Sequence, residues 1–426
     1  MFKDRYDNRV STSSGKAFDA YALGVDNLLA GTDGVEAAFE LAIKEDPSFL
    51  QAHIGLARQW QMRGESTQVK KVLQQAPDIP DTLSSFEKSH VNTMLLLLSG
   101  KIPAAIKSID EHLRDYPRDA VVAQTCMGVF GLIGFSGQPG RESEQLAFTT
   151  SLAPHYGDDW WFLGQYAFAQ LEVGQLEKSA TSIERSLTAQ PRSAHNAHIR
   201  THLYYENGET AAGLQYLTDW RRGLSRGALM HCHIAWHVAL WALEQGDEKK
   251  MWDIFDADIL PANGDFGPSL NVLTDAAALL FRAQLAGVDI PSSRWKAVSE
   301  FALSQFPKPG MAFADVHAAV AHAFAGNVEA IAKLISDARG PAGDLVKLSA
   351  HAFDAIAKKQ WPEATRYLAD ILVDHARVGG SRAQRDLFQF ALALCLLRQG
   401  RADTARLFLA INRPLAPVSA VKDLRV

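Results

Sequence analysis

Cysteine is nearly absent. Three thiols, Cys126, Cys232 and Cys395, are spread through 426 residues. An odd, scattered set makes no disulfide framework and fits a reducing compartment. There is no Cys-x-x-Cys pair, so no thiolate zinc ribbon is expected. No run of 18 apolar residues occurs, which argues against a membrane-spanning helix. Positive charge is not in excess either. Forty-three Lys and Arg stand against 48 Asp and Glu, a net −5, so the basic face of a nucleic-acid binder is not expected. The opening "MFKDRYDNRVSTSSGKAFDAY" has no apolar core of a secretory signal, and a cytoplasmic location is the expectation. Valine–isoleucine alternation is rare, leaving little material for a sheet.

What is abundant is helical pattern. Alanine, leucine, glutamine and arginine fill most segments, and one turn type recurs between apolar helical runs. It stands at Gly64 ("MRGES"), Gly100 ("LSGKI"), Gly174 ("EVGQL"), Gly208 ("ENGET"), Gly246 ("EQGDE"), Gly326 ("FAGNV") and Gly400 ("RQGRA"). Glycine suits the left-handed residue that ends a helix. Gly64 to Gly100 is 36 residues, Gly174 to Gly208 is 34 and Gly208 to Gly246 is 38. That period, with a helix–turn–helix unit, is of the tetratricopeptide type. Second helices close on proline at Pro117 and Pro191. Such units cannot bury their apolar faces alone, so they stack. The expected fold is all-α: one continuous tetratricopeptide-repeat-like α-solenoid over 1–426, a right-handed superhelix with a concave inner face. Gly/Pro-rich stretches at 130–145, 259–270 and 376–383 break the period and are long enough to cap or narrow a groove. The tail "VSAVKDLRV" is expected to order on another subunit or not at all. Oligomeric state is left open.

Several stretches together carry a family resemblance: the His198/His202 pair, "HIAWHVALW" from His233, "DAAALLFRAQLAG" from Asp275, "FADVHA" with Asp315 and His317, and "GGSRAQRDLF" from Gly379 to Phe388. His90 in "EKSHVNT" also fits, whereas His195, His231 and His322 depart from the pattern. Over nearly its full length the chain resembles the tetratricopeptide repeat protein 38 family. That resemblance implies an α-solenoid and no particular activity.

The chemistry must come from the residues. Histidines at i and i+4 share one face of a helix, and two such pairs, His198/His202 and His233/His237, precede turn glycines in neighbouring repeats. First helices line the concave side, which places the pairs about 10 Å apart in the central repeats, 195–320. Asp275 and Arg282 interrupt an apolar helix, and Asp315 and His317 interrupt another. Arg385 and Asp386 open a helix after Gly379, Gly380 and Ser381. Ser381 reads as an N-cap, and an anion can sit at that helix start. Taken singly, each histidine reads as a satisfied core residue. As a set they read as a groove, because burying an unpaired polar group costs roughly 1–3 kcal/mol.

Two classes of function follow. In the first, the groove binds a small polar molecule, a carboxylate or an amide. His198, His202, His233, His237, Asp275, Asp315 and His317 then serve as acid–base groups of an amide or ester hydrolase. His90, Arg282, Ser381, Arg385, Asp386 and Trp236 hold the substrate. No cofactor and no metal ligand are assigned, although zinc or another divalent ion on the two histidine pairs is a variant of this reading. A zincin site is excluded, since Ile199 and Ile234 stand where its glutamate would be. Cys232 shares a face with Trp236 and reads as packing. In the second class the chain is a protein-interaction scaffold whose histidines are structural links between helices. Neither nucleic acid nor membrane is an expected partner.

Overall fold

A computed structural model describes residues 2–260, 262, 264, 267–415 and 420–424. Two short strands, Phe2–Lys3 and Arg9–Val10, pair antiparallel with Phe2 opposite Val10. Everything else of regular structure among the described residues is helical, in 22 α-helices and a few short 3-10 and π turns. No described helix is long and apolar enough to cross a membrane.

The helices alternate in character. Outer helices bury one stripe: Leu176–Ala189 buries Ser179, Ser182, Ile183, Ser186 and Leu187, the spacing of a surface helix. Inner helices are buried nearly all round. His231–Glu244 buries every residue from Cys232 to Leu243, as expected of a helix packed on both sides. Inner helices pack on outer partners and several pack on another inner helix: Ala194–Glu206 with Trp160–Glu172, His231–Glu244 with Ser269–Ala286, and Ser269–Ala286 with Ala312–Ala325. The seven turn glycines all have φ between 69° and 83°. The result is a tetratricopeptide-repeat-like α-solenoid.

The inner face differs from the open groove expected. Distant turns of the solenoid meet across it: Ala194–Glu206 and Ser269–Ala286 both pack against Arg382–Arg398. The 130–145 break turns inward. Phe130 and Phe135 stack at 5.2 Å, and both lie against Phe313. The 376–383 break meets it, with Arg377 Nε donating to the Gly137 carbonyl (3.1 Å) and Arg141 Nη2 to that of Gly380 (2.6 Å). The solenoid therefore closes on itself around a filled interior. The 259–270 break falls partly outside the described residues, as does the tail. The described part of the tail, 420–424, orders on its own chain: Lys422 N donates to Leu285 O (2.7 Å), and Ala420, Val421 and Leu424 are buried.

Candidate metal centre

The two histidine pairs meet inside this closed interior. Ser193 caps the Ala194–Glu206 helix by accepting from Asn196 N. Neighbouring Trp160–Glu172 comes close because residue 164 is glycine: a Cβ there would lie 2.0 Å from Asn196 Oδ1. That approach brings the Phe168 ring to 5.8 Å from His198 and 5.3 Å from His202. Trp236 stacks parallel on His233 at 5.3 Å. The pocket wall is thus aromatic and water-excluding.

Inside the wall the imidazoles touch. Ring centroids are 4.5 Å apart for His198–His202, 4.7 Å for His198–His233, 4.8 Å for His202–His237 and 4.9 Å for His233–His237. One nitrogen from each ring can be chosen so that all four lie within 4.8 Å of one another. A tetrahedral ion with metal–nitrogen bonds of about 2.0–2.1 Å holds its ligand nitrogens about 3.3 Å apart, so the most distant of the four nitrogens would close by about 1.5 Å around one ion. His233 Nδ1 donates to both oxygens of Asp275 (2.9 and 3.0 Å). The carboxylate can only accept, so the proton sits on Nδ1 and the Nε2 lone pair is left for another partner. Metal-bound histidines are held in this way.

Burial keeps three of the four rings neutral. Burial, reinforced by the neighbouring imidazoles, pushes His198 and His237 well below the usual histidine range and His202 down to about 3. Neutral imidazole is the form that binds a metal. Burial raises Asp275, and the facing His233 opposes that. Three ring nitrogens, His202 Nδ1 and both of His237, are buried with no hydrogen-bond partner. His198 and His202 share one Nε2–Nε2 hydrogen bond of 2.8 Å. Cys232 Sγ donates to Asp275 Oδ2 at 3.8 Å. Burial, then Asp275, holds this thiol well above its ordinary value, so it supplies no thiolate nucleophile.

The structure gathers only part of the expected set. His198, His202, His233, His237, Asp275 and Trp236 form the centre. Asp315 instead accepts from Gly310 N (3.0 Å), and burial raises it to about 6. His317 Nδ1 is bound to the Phe313 carbonyl (2.7 Å). His90 lies in the N-terminal part of the core and pairs with Asp119 at 2.6 Å. Ser381 is the expected N-cap, in a capping box with Gln384. Arg385 is occupied by Glu142, Glu172 and the Gly380 carbonyl, which leaves no free fork for a substrate carboxylate. Arg282 and Asp386 belong to a second buried network. Arg282 reaches Glu244 (3.4 Å) and the Tyr205 hydroxyl (3.4 Å), Tyr205 donates to Asp386 (2.7 Å), and Arg413 joins Asp386 (3.0 Å) to Glu206 (2.8 Å).

The glutamates of this network were legible and missed. Glu172, Glu206 and Glu244 each stand two residues before a turn glycine in three successive repeats. Each is buried at its side chain and meets an arginine: Arg385, Arg413 and Arg282 respectively. A carboxylate recurring on an inner helix at a fixed offset from the turn is a signal for internal ion pairing.

No family model matches the chain. Solved structures that resemble it include the human IFIT1 dimer with m7Gppp-AAAA (12% identity, 96% of this chain and 97% of that one, TM-score 0.47). Yeast Tom70 shares 11% identity over 94% and 84% of the two chains with a TM-score of 0.38. The TPR domain of P58(IPK) shares 14% over 91% and 99% with a TM-score of 0.21. These are likenesses of helical-repeat architecture and no more.

Proposed function

We propose that the chain is a helical-repeat scaffold held together by one divalent transition-metal ion of the zinc class, bound by His198, His202, His233 and His237. The observation that carries this is the buried set of four imidazoles with three unpartnered ring nitrogens. Each such nitrogen costs roughly 1–3 kcal/mol unless something binds it, and a four-coordinate ion would recruit one nitrogen from every ring. Four protein ligands leave no open position, which is the pattern of structural zinc and not of hydrolytic zinc. The same burial counts against acid–base hydrolysis, because a general acid or base must reach the proton it moves. The ion would clamp Ala194–Glu206 to His231–Glu244, and Asp275 would tie the clamp to Ser269–Ala286. Ion identity follows ligand softness: all-imidazole sites suit Zn, Cu, Fe and Ni over Mg and Ca.

The test is metal content of the purified chain, with cobalt(II) substitution to read coordination from its visible spectrum. One ion per chain and a tetrahedral nitrogen spectrum are expected, with the ion lost in His202→Ala/His237→Ala. The His233–Asp275 bond (2.9 Å), which joins two helices without any ion, favours the alternative of metal-free structural links between helices. If the native chain, and the chain refolded with zinc, copper, iron or nickel, hold no stoichiometric ion, that alternative stands.

A further inference from the structure

On the opposite side of the His231–Glu244 helix lies an open cup of about 370 Å³. It sits where this helix meets Thr210–Trp220, Glu248–Ile254 and the turn at Arg221–Gly223. Its floor is apolar, formed by Leu224, Val238 and Ile254, and its polar lining includes Thr218, Arg221, Arg222 and Lys250. The charges do not cancel. Arg221 spends one nitrogen on Asp258 (2.5 Å), and Arg222 pairs with the exposed Asp219 (2.8 Å). Among the described residues the Lys250 ammonium has no hydrogen-bond or ion-pair partner, and its neighbour Lys249 takes Asp253 (2.6 Å). Thr218 Oγ1 is shut off from water with no partner. Three cations and one carboxylate, Asp253, thus line one opening.

We propose that this cup binds a phosphate monoester. A phosphate monoester carries nearly two charges at neutral pH, enough to take the free Lys250 ammonium together with the guanidinium nitrogens that Asp258 and Asp219 leave open. Arginine forks and a lysine are the usual receptors of such a head, and the apolar floor takes a small organic body. The site faces away from the imidazole cluster and stands without it.

Isothermal titration of the full chain with phenyl phosphate is the direct test, with inorganic phosphate and benzoate as comparisons. Phenyl phosphate is expected to bind saturably at about 1 mM or below and more tightly than either comparison, because each lacks the organic body or the second charge. Lys250→Ala and Arg222→Ala should each weaken it about tenfold. Lys296→Ala, a change of the same charge at an exposed position in another repeat, should leave it unchanged. The proposal is overturned by no saturable binding, by equal binding of benzoate, or by an equal loss in Lys296→Ala, which would mark non-specific attraction. Circular dichroism of the variants separates a lost site from a lost fold.

Discussion

Eight imidazoles, His53, His195, His198, His202, His237, His317, His322 and His375, sit below the ordinary histidine value, with burial as the leading cause for each. In the folded chain they stay neutral, whereas the unfolded chain takes up their protons below about pH 6.5. Their contribution to stability is therefore complete above that pH and is lost as pH falls towards their folded values, about 4 for His195, His317, His322 and His375. His90 runs the other way. Burial alone would lower it, but Asp119 holds it above the usual value, so its contribution is complete below about pH 6.5 and fades as pH rises through its folded value. Carboxylates that burial raises also oppose the histidines, Glu172 and Glu244 to about 7 and Asp4 and Asp315 to about 6, so between about pH 7 and 5 they offset the histidine loss. The urea midpoint is expected to change little from pH 8 to about 5 and to fall from there towards pH 4, as the unfolded chain's carboxylates also take up protons and no longer offset the depressed histidines; each fully linked proton adds about 1.4 kcal/mol per pH unit. Any ion on the central imidazoles should leave in the same window. A midpoint that holds from pH 5 down to 4 would contradict this account.

Between neighbouring elements, contact depends on what is missing as much as on what is present. Phe39, on the Val35–Glu45 helix, is fully buried between Gly24 of Gly15–Ala30 and Gly55 of Leu50–Arg63. A Cβ at Gly55 would lie 2.5 Å from the Phe39 ring, and one at Gly24 would lie 2.8 Å away. In a free helix Gly→Ala gains up to about 1 kcal/mol; here overpacking costs about 1–3 kcal/mol. Gly55→Ala should therefore lower the urea midpoint, and adding Phe39→Leu should recover part of the loss. A rise in the midpoint on Gly55→Ala alone would show that the ring yields freely. This scale is also where the sequence is most readable. Helix lengths and the left-handed turn glycines are set within a few residues of themselves, so pattern alone finds them. The histidine pairs were readable for the same reason, since i and i+4 share a face whatever surrounds them. Arg282 was misplaced with them by distance along the axis: seven residues beyond Asp275, it sits about 10 Å further on, level with Glu244 and not with the imidazoles.

For the whole molecule, closure was the part that pattern could not reach. Glu206 and Arg413 are 207 residues apart, and Arg385 and Glu142 are 243 apart; nothing local announces either pairing. An open solenoid exchanges energy only between adjacent repeats, so its ends unfold separately. Here Arg413 ties Glu206 to Asp386, Arg382 adds a second bond to Glu206 (3.2 Å), and Arg141 holds the backbone before Ser381. These bonds couple the last repeats to the middle ones, and calorimetry of the native chain should accordingly show one transition. Arg413→Ala would leave Glu206 and Asp386 buried with fewer counter-charges, at a cost of about 3–5 kcal/mol. It should split off an earlier transition and speed hydrogen exchange across residues 382–412. Arg406→Ala removes an exposed pair with Asp403 and should change stability by no more than about 0.5 kcal/mol. If the unmodified chain already melts in two steps, or if exchange in Arg413→Ala quickens evenly along the chain, the C-terminal repeats do not latch the ring, and the closed interior must be held by apolar packing alone.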